Sequence, residues 1–154
     1  MGGYALVGEN GVVTDSGRCM ECGAVGLDGF SCWELFGFPL VWEHNAPELY
    51  AFHFWLVSCY MIQHPSRFTE EGYRHLVRLF IDAYDQDWKT AYILKRNREL
   101  MKNIDKLTTP LPDQDRKRKP AFWSLTIEDI YLGGEQHAIA NIMRWKERIR
   151  YELS

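Results

Sequence analysis

Cys19 and Cys22 stand two residues apart in "GRCMECGAVGLDGFSCWELF", and Cys32 follows where a helix should begin. A C-x-x-C pair can hold zinc because the intervening turn points both thiolates at one tetrahedral centre. Gly23, directly after the pair, suits the tight backbone of a zinc knuckle. A cysteine in the first turn of a helix is a good third ligand, since that helix end favours thiolate over thiol. Two other readings stand beside zinc. A redox C-x-x-C belongs at a helix start after a strand, in a βαβ setting that the surrounding residues do not show. Unliganded, buried thiols are the remaining option.

The candidates for a fourth ligand are Cys59 and the histidines His44, His53, His64, His75 and His137. In "HFWLVSCYMIQHP", His53, Tyr60 and His64 lie within ~20° of one another on a helix, in one stripe with Val57. His53 and His64 are nevertheless separated by roughly 16 Å along that helix, so one metal cannot take both. If "WEHNAP" turns the chain between two antiparallel helices, Cys32 lies opposite residues near 57–60. His64 is then the better placed histidine, and Cys59, ~140° round the helix from it, reads as a buried thiol. A histidine ending a helix could instead serve the helix dipole. His53 reads as a satisfied core histidine, and His44 and His75 as solvated. His137 comes near His53 if the bundle closes that way. The predicted set is Cys19, Cys22, Cys32 and His64, holding one structural zinc per chain.

These residues need elements to carry them. "YALVGENGVVTDSG" reads as a small hairpin around Gly8-Glu9-Asn10-Gly11. Ser31 and Glu34 form a capping pair, and Cys32, Leu35, Phe36 and Leu40 share one face of the helix they open. Pro39 should kink or interrupt it. "NAPELYAFHFWLVSCYMIQHP" reads as one continuous central helix, with Asn45 as cap, Pro47 in the first turn and Pro65 as the stop. A third helix opens at Thr69 and runs to about Asp85, and a fourth runs from about Trp88 to Ile104. Thr126 caps the short "IEDIYL", which Gly133-Gly134 breaks. A last helix, from about Glu135 to Leu153, should turn Ile139, Ile142, Met143 and Ile149 inward. The expected fold is mainly α, a helical bundle of about five helices with an N-terminal hairpin and zinc knuckle. It is read as one domain over 1–154: hairpin and knuckle at 1–30, helices at 31–154, and a mobile polar loop at about 106–120.

The chain has 154 residues, 46 % of them hydrophobic and 25 % charged, which suits a soluble globular protein with a sizeable core. Its formal charge of -3 gives no general attraction to nucleic acid or to an anionic membrane. Residues 1–94 carry a balance of -7 and residues 95–154 one of +4, so the two halves are opposed. No basic start precedes an apolar run, and the longest apolar stretch is too short to span a bilayer. A cytoplasmic location is therefore expected, where cysteines bind metal or stay free more often than they pair.

The combination of "CMECG", the later Cys32, "HFWLVSCYMIQHP" and "TIEDI…EQHAIANIMRW" resembles an uncharacterised bacterial family, a domain of unknown function. The resemblance runs from Cys19 to about Trp145, and its most specific part is Tyr60-x-x-Gln63-His64-Pro65 with the upstream cysteines. It implies Cys19, Cys22, Cys32, His53, Tyr60, Gln63, His64 and His137 as signature positions, and it implies no activity. The basic "DQDRKRKP" departs from the pattern.

Three functions compete on this reading. The first is a small helical protein with a structural zinc and a binding or interaction role, because a closed four-ligand site leaves no position for substrate. The second is a metal-dependent enzyme with a histidine-lined site, for which His53, Tyr60 and His137 are the catalytic candidates. Such a site would resemble the histidine-liganded DinB-like bundles, but the last helix has no H-x-x-x-H. The third is nucleic-acid binding through "KRNRELMK" and "RKRKP", against which a solvated helix face and a basic loop are the simpler account. No sequence feature names a partner or sets an oligomeric state.

Overall fold

The computed structural model of the chain describes residues 18–102 and 123–154. The N-terminal hairpin expected over residues 4–17 and the loop at about 106–120 lie outside these residues. The described chain is mainly helical and, among those residues, has seven α-helices and no strand. They are α1 (Cys32–Trp42), α2 (Pro47–Tyr50), α3 (His53–Ile62), α4 (Glu70–Asp85), α5 (Thr90–Met101), α6 (Ile127–Gly133) and α7 (Ala138–Glu152).

Local chemistry explains most of the starts. Ser31 accepts from the Glu34 amide while the Glu34 carboxylate returns to the Ser31 amide, closing a capping box. Thr69 caps α4 through the Gly72 amide, and Thr126 with Asp129 closes a second capping box on α6. Gly134, at φ +76°, ends that helix in a conformation an L side chain rarely adopts. Pro39 lies inside α1 without ending it, because three more helical residues follow and the Glu43 amide returns to the Pro39 carbonyl.

The continuous central helix is not observed. Asn45 ends a 3-10 turn rather than capping, and Ala46, which offers no side-chain acceptor, takes the cap position. After the single turn of α2 the chain opens at Phe52 (φ −100°, ψ 10°) and restarts as α3. Thr90 at the start of α5 donates its hydroxyl to the Ala51 carbonyl at 3.3 Å, satisfying backbone exposed by the break.

α3 is central, packed against α4 and α7, while α1 lies on α6 rather than along α3, contrary to the expected antiparallel pair. The first half of α1 meets the end of α3 through Trp33 and Phe36, both against the Tyr60 ring. In α7 the buried residues are Ala138, Ile142, Trp145 and Ile149, a single stripe at spacings of four and three. Met143 falls off that stripe and is 45 % exposed, so Trp145 takes the inward place expected for it. No helix among the described residues is long and apolar enough to cross a membrane.

Candidate metal centre

Residues 19–24 close on themselves. The Cys19 amide donates to the Ala24 carbonyl at 2.8 Å and the Gly23 amide to the Cys19 carbonyl at 2.9 Å. Gly23 sits at φ +86°, which a side chain would strain. The Ala24 amide points at Cys22 Sγ, 3.4 Å away, the polarity a thiolate prefers. Cys32 occupies the first position of α1, directly after its capping box. His64 follows the end of α3, where Pro65 stops further helix.

These three segments bring Cys19, Cys22, Cys32 and His64 together. One ligand atom from each lies within 4.8 Å of all the others, and all four residues are buried. His64 Nε2 lies 3.7 Å from Cys19 Sγ and 3.5 Å from Cys32 Sγ. With bonds of 2.3 Å to sulfur and 2.0–2.1 Å to nitrogen, a tetrahedral centre sets such a sulfur–nitrogen edge at ~3.6 Å. Both separations match it.

The neighbours fix the orientation of the His64 ring. Its Nδ1 donates to the Tyr60 carbonyl at 2.6 Å. A carbonyl can only accept, so Nδ1 carries a proton and Nε2 faces the sulfurs, the nitrogen a metal would take. That carbonyl lies in the last turn of α3, where main-chain acceptors are otherwise unpaired. The Tyr60 ring is sandwiched between Phe36, 4.1 Å away and nearly parallel, and His64, at 4.0 Å. Burial pushes the Tyr60 phenol's pKa up, so it stays protonated beside Cys32 Sγ at 3.6 Å and can donate to a thiolate.

Without a metal the donors share protons among themselves. Hydrogen bonds from Cys22 and Cys32 pull the Cys19 thiol down, while the bond to Cys19 pushes Cys22 up. Burial alone would lower His64, but its bonds to Cys19 and Cys32 raise it to about 10.

The supporting residues differ in how far the sequence signalled them: Gln63 belongs to the family pattern, whereas Glu21 gave no signal. Glu21, between the first two cysteines, is buried and accepts from the Ser66 amide at 2.9 Å and the Ser66 hydroxyl at 2.8 Å. It thereby ties the cysteine turn to the residues just after His64. Gln63 donates to the Leu125 carbonyl at 2.8 Å, holding the end of α3 to the approach to α6. Farther on, the Val25 amide donates to Glu128 and the Tyr131 hydroxyl to Asp28.

The other candidates lie elsewhere. Cys59 is fully buried on α3, its thiol pushed up by burial, and is not part of the cluster. His53 opens α3 and donates from Nδ1 to Glu43 Oε1 at 2.5 Å, half-exposed rather than in the core. His75 donates to Asn97 Oδ1 at 3.2 Å and is part-buried rather than fully solvated. His44 and His137 are exposed. His137 therefore does not join His53 and Tyr60 in one buried site.

Fold and site together define a class: a small, mainly helical protein whose buried Cys3His cluster is compatible with a bound metal. Within that class, the chain belongs to a family of unknown function, DUF5946, which it matches over residues 17–154. No curated protein and no solved structure matches it.

Proposed function

We propose that this protein is a zinc-stabilised helical domain that acts through binding, with the metal in a structural role. Cys19, Cys22, Cys32 and His64 would supply the whole coordination shell. The observation that carries this reading is the His64 imidazole, held by the Tyr60 carbonyl with Nε2 at tetrahedral-edge distance from two sulfurs. Three thiolates and one imidazole are soft and borderline donors, the set that selects zinc in closed structural sites. All four residues are no more than 4 % exposed and together make four donors, the number a closed structural site uses. A metal here would join the cysteine turn to the start of α1 and the end of α3, which already meet through Phe36 stacked on Tyr60. Its contribution is then folding energy.

The test is elemental analysis of the purified chain with its stoichiometry. One zinc per chain is expected, with the three cluster thiols unreactive until a chelator is added. No metal, together with four titratable thiols in the native protein, would overturn the reading.

A further inference from the structure

A second site lies away from the cysteines. α3, α4 and α5 enclose an open cavity of about 550 Å³, within the range of small-molecule sites, and none of the four cluster residues lines it. Its floor is one face of α3. Phe54, Val57, Ser58 and Met61 line it at the i, i+3, i+4, i+7 spacing that ordinarily packs against a neighbouring helix. Across the gap α4 supplies Leu76 and the buried Leu79, and α5 supplies Leu94 at the exposed mouth.

Ser58 is the exception on that face. It is 3 % exposed, and among the described residues its hydroxyl has no hydrogen-bond partner. A helical serine can return its proton to the carbonyl four residues before it, and Ser58 does not. Burying a hydroxyl without a partner costs free energy that an alanine here would avoid. The remaining polar side chains on the wall are engaged within the chain or reach solvent. His53 is half-exposed and bonded through Nδ1 to Glu43, and His75 bonds Asn97. Thr90 bonds the Ala51 carbonyl, and Tyr50 is 60 % exposed. Arg67 lies over the Trp33 ring at 4.4 Å and makes a further contact within the chain. No Asp or Glu among the described residues lines the cavity. The wall therefore has no uncommitted charge to hold an ion out of water, and one uncommitted hydroxyl proton at its buried end.

We infer that this cavity binds a neutral, mainly apolar small molecule with one acceptor oxygen, to which Ser58 Oγ donates. The oxygen enters first, to the depth of Ser58 and Leu79, and the hydrocarbon body lies against Phe54, Val57 and Leu76. A ketone meets that demand. A carboxylate or phosphate does not, because it would be desolvated without a countercharge.

The experiment is titration of the full chain with 1-tetralone and, separately, with tetralin, the same two-ring hydrocarbon without the oxygen, followed by ligand-observed NMR. 1-Tetralone should bind at one site per chain. Ser58→Ala should weaken it about fivefold, the worth of one neutral hydrogen bond, and leave tetralin no weaker. The anion 1-naphthoate should bind more weakly than 1-tetralone. Leu76→Trp, which fills the cavity, and Leu94→Trp, at its mouth, should each weaken both neutral ligands. Helical circular dichroism and metal content of each variant show that it is folded. A Ser58→Ala variant that weakens both neutral ligands equally, or neither, would overturn the inference. So would naphthoate binding as tightly as the ketone, or ketone binding untouched by both tryptophan variants. No binding of 1-tetralone by the folded chain would overturn it too, and would leave the zinc reading standing, since the two sites share no residue.

Discussion

At the scale of single residues, the division of labour along α3 is set by angle and distance. His64, Cys59 and His53 are all ligand types, yet only His64 reaches the sulfurs. His64→Ala should lose most of its zinc, because the remaining three donors leave an open position that water fills poorly among buried side chains. His64→Cys should recover much of it, as a four-cysteine centre. Cys59→Ala should keep the full complement and cost only the packing of one small buried side chain. Zinc measured by a chromogenic chelator on the three purified variants decides this, and metal loss in Cys59→Ala would assign the site wrongly. The cluster cysteines and their spacing were legible in the sequence, because a C-x-x-C turn is a local device. Glu21 was not. An acidic residue between two cysteines gives no sign that it will be buried 45 residues away against Ser66.

Between residue and molecule stand the joints that hold one element to the next. The Glu21–Ser66 pair is such a joint, since it satisfies an amide and a hydroxyl in the 3-10 turn after His64. Glu21→Ala would leave both donors without this acceptor and should destabilise the fold by about 1–3 kcal/mol, read as a lower urea midpoint with an unchanged slope. Tyr73, on α4, makes another joint, donating its hydroxyl to the Ile62 carbonyl at 2.8 Å. Burial raises that phenol from 10.0 to about 12. Its stabilising effect is therefore complete below pH 10 and is lost as pH rises towards 12, because the unfolded chain ionises first. Tyr73→Phe should flatten the loss of stability over pH 10–12, while costing about 1 kcal/mol at neutral pH for the missing hydrogen bond. Urea titrations at a series of alkaline pH values test both statements, and parallel curves for the two proteins would refute the assignment. The helix starts at Ser31, Thr69 and Thr126 were legible because caps are made within four residues. The break between α2 and α3 was not, because an all-round apolar stretch has no periodicity to interrupt. The chain opens there beside Thr90, 39 residues away in sequence.

Across the whole molecule, the helices divide by how much they depend on the cluster. α3, α4 and α7 share a continuous apolar core, with Leu56, Ile62, Phe80, Ile142 and Trp145 fully buried. Trp55 meets Phe80 edge-on at 5.3 Å, and Lys146 covers the outer face of Trp55 at 4.1 Å. Residues 19–30 have a smaller apolar face, made by Ala24, Leu27 and Phe30, with Phe30 edge-on to Phe38 at 5.1 Å. They are also held by Glu21 on Ser66, by Val25 on Glu128 and by Asp28 on Tyr131. Such polar contacts contribute about 1 kcal/mol each, against an ordering cost of 1–2 kcal/mol for every residue fixed. On the zinc reading proposed above, the metal supplies much of the difference, so removing it should unfasten this segment before it disturbs the core. Chelation is therefore expected to lower stability by several kcal/mol and to lose amide protection in two stages. The amides of Cys19, Gly23 and Ala24 should exchange first, with those of the first turn of α1 next. The amides of α3, α4 and α7 should stay protected until global unfolding. Hydrogen exchange on matched metal-loaded and metal-stripped samples reads this directly. Uniform loss across all helices would mean that the centre is the nucleus of the whole fold. Unchanged protection at Cys19 through Ala24 would mean that the polar contacts suffice, and that the metal has no structural role.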